Sequence, residues 1–243
     1  MTSININLHN KTYRSAQRTH TAISELQFQV AANEFVCLVG PSGCGKTTLL
    51  NIIAGLDTQY QGQINLENNL TQKIGYVFQN PRLLPWHTVR RNIELVFPDA
   101  PPKALIDSLL AAMQITEVQD VYPNQLSLGM QRRAAIIRAF AINPDILLMD
   151  EPFVSLDAPT ARQIRQLLYS LWLQRPHTVL FVSHDLREAI ALADRLLFLS
   201  AAPMQIMDNI QVSLSRDERQ DETKIESFRQ DLLNHYPAIQ ALL

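Results

Sequence analysis

Gly40-Pro41-Ser42-Gly43-Cys44-Gly45-Lys46-Thr47 is the stretch that decides how this chain folds. It fits the pattern G-x-x-x-x-G-K-[S/T], and the apolar run Glu34-Phe35-Val36-Cys37-Leu38-Val39 leads into it. The chain has only seven glycines, and three of them fall here. A continuous apolar run reads as a buried strand, and residues 47–54 read as the helix that follows. The loop between them must curl so that its N–H groups point inward at phosphate oxygens, which glycine permits. The helix adds the positive end of its dipole. Lys46 would neutralise β- and γ-phosphate charge, and the Thr47 hydroxyl would bind Mg²⁺, with Thr48 next in the same phosphate-binding stretch.

A second signal lies about a hundred residues on. Ile146-Leu147-Leu148-Met149-Asp150-Glu151 is an apolar strand that ends in two acids. Strand ends of this kind are where a doubly wound sheet places ligands. Asp150 would hold Mg²⁺ through water, and Glu151 would polarise an attacking water as general base.

Outward from these two points, residues 1–39 alternate apolar and polar positions and read as strands, broken by turns at His9-Asn10-Lys11 and Ala32-Asn33. Residues 72–79, 145–149, 178–182 and 196–199 read as further strands. Residues 101–143 carry helical periodicity that Pro144 ends. Strands alternating with helices imply a mostly parallel sheet covered on both faces, and the helical stretch of about 88–143 interrupts it as an inserted subdomain. The polar run of residues 213–223 reads as a solvated linker or helix end, and the short tail of about 210–243 leaves no room for a regulatory domain.

Composition narrows the classes. A 243-residue chain that is 47% hydrophobic can bury one large core. A net charge of −2 gives no global basic field for nucleic acid. A bridge between Cys37 and Cys44 would distort the glycine loop, so both read as reduced thiols. Residues 1–7 lack the apolar core of a signal peptide, and no apolar run reaches the roughly 18 residues of a membrane helix. Matches to the glycosylation pattern at Asn10 and Asn69 read as chance in such a chain.

The residues between the two signals narrow the family. Asn124-Gln125-Leu126-Ser127-Leu128-Gly129-Met130, followed by Gln131-Arg132-Arg133, resembles the signature loop of ABC transporter ATPases. Ser155-Leu156-Asp157 is similar to that family's D-loop, Val182-Ser183-His184-Asp185 to its switch histidine, and Gln79 to its Q-loop glutamine. Tyr13 lies where the family keeps an adenine-stacking aromatic. The resemblance spans about residues 3–205 and implies one ATPase domain over 1–243. The implied fold is α/β, a P-loop NTPase (RecA-like) core with an N-terminal antiparallel β subdomain and an inserted α-helical subdomain.

The resemblance also implies a mechanism. ATP and Mg²⁺ would be sandwiched between two copies. The loop of Gly40 to Thr48 in one copy would face Ser127 and Gly129 of the other. Gln79 would sense Mg²⁺ and the attacking water, His184 would contact the γ-phosphate, and Asp157 would couple the two sites. Two departures stand out: Leu128 where the family has Gly, which demands a backbone shape open to a side chain, and Met130 where it has Gln. Met130 and the run Leu83-Leu84-Pro85-Trp86 resemble the importer branch for nitrate, sulfonate, taurine and thiamine precursors. Leu83, Leu84 and Trp86 would grip an amphipathic helix of a membrane subunit. Asn33 replaces a common turn glycine and tolerates a left-handed backbone.

The branch implies integral membrane permease subunits, a periplasmic or lipoprotein solute-binding protein, no nucleic acid partner, and a place on the cytoplasmic face of the cell membrane. Three other readings compete. A soluble ABC ATPase of repair or translation would need paired halves or long coiled coils. A GTPase would show Asn-Lys-x-Asp, which Asn10-Lys11-Thr12-Tyr13 fails. An ABC protein with weakened hydrolysis rests on Leu128 alone.

Overall fold

A computed structural model describes residues 2–14, 19–67, 72–154 and 156–240. Its strands are β1 (Ile4–Arg14), β2 (Thr19–Val30), β3 (Phe35–Val39), β4 (Gln61–Leu66), β5 (Ile74–Val77), β6 (Ile146–Asp150), β7 (Thr178–Val182), β8 (Arg195–Leu199) and β9 (Ile206–Gln211). Its helices are α1 (Lys46–Ile53), α2 (Val89–Glu94), α3 (Lys103–Ala112), α4 (Leu128–Ala141), α5 (Ala158–Gln174), α6 (Leu186–Leu192), α7 (Glu222–His235) and α8 (Pro237–Gln240). The chain divides into two compact units, residues 1–69 with 178–243, and residues 70–177.

In the first unit, β1 pairs antiparallel with β2 on one side and β4 on the other. Ile4, Ile6 and Leu8 sit opposite Val30, Phe28 and Leu26 and are buried, while Asn5 and Asn7 face out. That period of two is what an antiparallel strand with one wet face requires. The predicted turn at residues 9–11 is not there. β1 runs through it, with register shifts against β4 between Leu8 and Asn10 and against β2 between Lys11 and Thr12. The cause is Lys11, whose side chain is 2% exposed and reaches inward to Asp57 rather than out to water.

β3 lies between β7 and β8 and runs parallel to both, and β9 closes the edge of β8 antiparallel. All five residues of β3 and of β7 are buried, as expected for strands covered on two faces. Asn33 takes φ 61° in the turn before β3, as its side chain permits. The polar run after residue 212 is tied down rather than loose. Arg219 is 7% exposed and donates to the carbonyls of Ala193, Val212 and Leu214 and to Asp194. Arg216 joins it on Asp194 and on the Leu192 carbonyl. Asp221 then caps α7 through the Thr223 N–H.

In the second unit, β5 and β6 pair in parallel. The helical stretch is broken at Gln114, φ 54°, and again by the short 3₁₀ segment Pro123–Gln125. α4 ends at Ala141, Asn143 turns left-handed at φ 58°, and Pro144 follows. Asn92 of α2 is fully buried. Its side chain accepts from Leu84 N at 2.7 Å and donates to the carbonyls of Leu84, His87 and Thr88. Arg138 of α4 donates to the carbonyls of Pro81 and Arg82. The segment after Gln79 is therefore fastened at several backbone points. Among the described residues, no helix is long and apolar enough to cross a membrane.

Candidate active site

The loop of residues 40–45 leaves β3 and enters α1 in the first unit. A Cβ at Gly40 would lie 2.9 Å from the Leu199 carbonyl oxygen, so the strand end of β8 leaves no space for a side chain. Gly45 caps α1 at φ 117° and ψ 8°, which L side chains rarely adopt. Cys44 N–H donates to the Pro41 carbonyl at 3.3 Å and tightens the curl. Lys46 Nζ donates to the carbonyls of Gly40 at 2.7 Å and Pro41 at 2.9 Å, which holds its buried ammonium inside the loop. Ser42 and Gly43 are exposed at the tip, Thr47 is exposed on the first turn of α1, and Thr48 beside it is half-buried. α1 carries no acid in its first turn, so its leading N–H groups and dipole suit an anion. A curled backbone, a helix N-terminus and a held ammonium together form a donor set for phosphate oxygens.

Cys37 and Cys44 are both free and buried. Burial pushes the Cys37 thiol well up. Burial also raises Cys44, against the opposing charge of Lys46. Both thiols stay protonated.

Tyr13 stands beside the loop. Its hydroxyl lies 3.1 Å from Thr48 Oγ1 and donates to Asp57 Oδ2 at 3.2 Å. His184 sits exposed in the turn between β7 and α6. Its neighbours fix that turn: Asp185 caps α6 by accepting from Arg187 N–H at 2.8 Å, and the Ser183 hydroxyl donates to Glu188 at 2.8 Å.

The second unit carries the acids. Asp150 ends β6 and is 3% exposed. Glu151 follows at φ 47°, a left-handed backbone for a residue that has a side chain. Gln79 Nε2 donates to Glu151 Oε2 at 3.2 Å, so the sequence's candidate sensor and candidate base meet. Arg132 of α4, 4% exposed, donates from Nη1 to the Glu151 carbonyl at 3.0 Å. Sequence reading gave Arg132 no role; its only signal was its place just after the signature residues. Asp150 offers carboxylate oxygens of the kind Mg²⁺ takes alongside phosphate and water.

Two sequence-predicted residues turn out to be helix caps. Ser127 accepts from Met130 N–H at 3.3 Å at the start of α4, leaving its own O–H to donate elsewhere. Asp157 accepts from Thr160 N–H at 3.2 Å at the start of α5, and the bonds from Thr160 hold its carboxyl below the usual range. A Cβ on Gly129 would lie 3.4 Å from Leu156 Cδ2, so the signature turn and the D-loop segment are neighbours. Ser155 lies outside the described residues. Leu128 is the first residue of α4, in ordinary helical conformation and 43% exposed. Leu128 therefore carries no backbone strain.

A groove of about 410 Å³ in this unit is lined by Tyr76, Phe78, Leu84, Leu95, Arg138 and others. Of the three residues expected to grip a partner helix, Leu84 alone lines it, and Trp86 stands 67% exposed outside.

Comparison with known proteins gives the family. The ABC transporter family profile matches residues 23–154. The chain is 33% identical over 246 residues to the aliphatic sulfonates import ATP-binding protein SsuB of Bacillus subtilis, across 99% of this chain and 96% of that one. It is 38% identical over 204 residues to the nitrate import ATP-binding protein NrtD of Synechococcus elongatus, across 79% of this chain and 74% of that one. The dimeric ATP-binding cassette MJ0796, in a post-hydrolysis state bound to ADP and Pi, superposes with a TM-score of 0.77 at 30% identity, covering 87% of this chain and all of that one. The chain belongs to the ABC transporter ATP-binding family, on the branch that holds the sulfonate and nitrate import ATPases.

Proposed function

We propose that the chain energises uptake of a small solute by hydrolysing ATP as one of a pair of identical subunits docked on a membrane permease. The solute class that the relatives' names support is a small oxyanion, a sulfonate or nitrate. Peripheral attachment at the cytoplasmic face of the membrane and delivery by a separate solute-binding protein complete the reading.

The roles follow from the chemistry of each group. Backbone N–H groups of Gly40, Ser42, Gly43 and Gly45 cradle the phosphates, the Cys44 N–H keeps the curl through the Pro41 carbonyl, and Lys46, Thr47 and Thr48 complete the cradle. Thr47, Asp150 and Gln79 are the residues that would hold Mg²⁺, which would offset phosphate charge. Glu151 takes a proton from the attacking water, with Gln79 orienting its carboxylate. His184 donates to the γ-phosphate. Ser127 O–H and Gly129 N–H of one copy reach the nucleotide of the other, at the positive end of α4. Asp157 stands beside that turn and couples the two sites, and Tyr13 stacks on the base.

The observation that carries this reading is the Gln79–Glu151 pair at the end of β6, in a chain that also holds Lys46 folded into a phosphate cradle. The test is steady-state ATP turnover with Mg²⁺ by the purified chain. Glu151→Gln should abolish turnover and keep ATP binding, while Lys46→Ala should lose both. Turnover that survives Glu151→Gln would overturn the assignment.

A further inference from the structure

Tyr13 is held by more than its neighbours in sequence. Lys11, two residues back on β1, places its ammonium 4.5 Å from the centroid of the Tyr13 ring. That ammonium also donates to Asp57 Oδ1 at 2.7 Å and to the Gln59 carbonyl at 2.8 Å. Asp57 uses its second oxygen to accept from the Tyr13 hydroxyl, which in turn meets Thr48 at the phosphate loop. A continuous polar chain therefore runs from Lys11 through Asp57 and Tyr13 to Thr48. The Asp57 side chain is 19% exposed, while Tyr13 is 44% exposed. Burial alone would raise the Asp57 carboxyl, but the bond from Lys11, the Gln59 N–H and the Tyr13 hydroxyl hold it below its ordinary value.

We propose that Lys11 and Asp57 are positioning residues for the nucleotide base: they fix the Tyr13 ring in one plane by its edge and one face, leaving the other face as a ready platform for a purine. This rests on the reading of Tyr13 as the base-stacking residue. The physical gain is twofold. A ring already pinned at its hydroxyl and over a cation loses little freedom when a base lands on it. A cation on one face also draws π density toward itself, which suits the opposite face to an electron-rich purine. A buried ammonium needs a partner charge, so Lys11 and Asp57 act as a unit.

The two places this pair could matter are separable with two probes, ATP and inorganic tripolyphosphate, each titrated against the full-length chain and variants. Tripolyphosphate reads the phosphate loop alone, and ATP reads the loop plus the platform. Tyr13→Ala should weaken ATP about five- to hundredfold and leave tripolyphosphate unchanged. Asp57→Asn, Lys11→Met and Tyr13→Phe, which keeps the ring but frees its edge, should each weaken ATP about three- to tenfold, again with tripolyphosphate unchanged. Lys11→Arg, which can pair with Asp57 and sit over the ring, should restore most of the ATP affinity. If Asp57→Asn and Lys11→Met weaken both probes equally, or neither, the pair is a structural staple and the proposal falls. If Tyr13→Ala leaves the ratio of the two affinities unchanged, the stacking reading fails, and this proposal with it.

Discussion

Replacing Arg132 by Met should slow hydrolysis without loosening nucleotide. Glu151 adopts φ 47°, and a left-handed backbone costs a residue with a side chain about 1–2 kcal/mol. Arg132 Nη1 donates to the Glu151 carbonyl at 3.0 Å from a buried position. A hydrogen bond from a charged donor contributes about 1.5–3 kcal/mol, enough to offset that strain. Without it, the relaxed backbone is favoured by about 1–2 kcal/mol, so the carboxylate occupies its reacting position about a tenth of the time. Turnover at saturating ATP should fall about tenfold for Arg132→Met, and the melting temperature should drop by a few degrees, about 2–4 °C per kcal/mol for a chain of this size. The affinity for ATP should stay that of the parent, because the phosphate cradle is built from residues 40–48. The assay is kcat alongside a nucleotide titration and a thermal melt. A variant that melts lower but keeps the parental kcat would refute the claim that Arg132 holds Glu151 in place.

Three further outcomes follow from the same geometry. His177 is 5% exposed, with Nδ1 against the Arg175 carbonyl at 2.9 Å and its ring edge-on to Phe140; burial, the largest effect, lowers its pKa, against smaller opposition from that carbonyl and Asp145 and with help from the Arg175 charge. The unfolded chain therefore binds a proton before the native one does, so this contribution is complete above pH of about 6.5 and is lost below it, at up to about 1.4 kcal/mol per pH unit. The drop in melting temperature between neutral and mildly acid buffer should be smaller for His177→Gln than for the parent, and equal drops would sink the idea. Leu128→Gly should cost about 1 kcal/mol or less and leave turnover near the parental rate, since Leu128 already sits in a regular first turn of α4; a large rise in turnover would mean that the side chain obstructs closure. Arg219→Met should lower stability by about 2–4 kcal/mol, because it leaves the carbonyls of Ala193, Val212 and Leu214 without their donor and Asp194 with Arg216 alone. Urea unfolding measures it, and a loss below about 0.5 kcal/mol would show the polar tail to be the loose linker that its composition suggests.

What the sequence shows here depends on how local the cause is. β3, β6, β7 and β8 are continuous apolar runs beside the motifs, and β7 matches its expected bounds of residues 178–182. The curl at Gly43 and Gly45 needs glycine for reasons that lie within the loop, so it too is readable. Lys11 is the opposite case. In sequence it looks like part of a polar turn, and only its bond to Asp57 across the fold makes it an inward-facing strand residue. β4 and β9 alternate half-buried and exposed positions, a weaker pattern than a buried run, and escaped notice. Arg219 reads as a solvated charge until the residues that lead into β8 and those that leave β9 are in place to receive it. The acids at residues 150 and 151 were visible as a pair, but the left-handed turn at Glu151 was not, because Arg132 supports it from a different helix.

The claim that two copies close on ATP is tested most directly by the mass in solution of Glu151→Gln, measured with and without ATP and Mg²⁺. Gln keeps the size and the hydrogen-bond reach toward Gln79 but cannot accept the proton of the attacking water, so bound ATP persists. The account predicts a monomer without nucleotide and a dimer with ATP and Mg²⁺, and a return to monomer when Ser127→Ala removes the donor at the start of α4. A variant that binds ATP and remains a monomer at every protein concentration would contradict it.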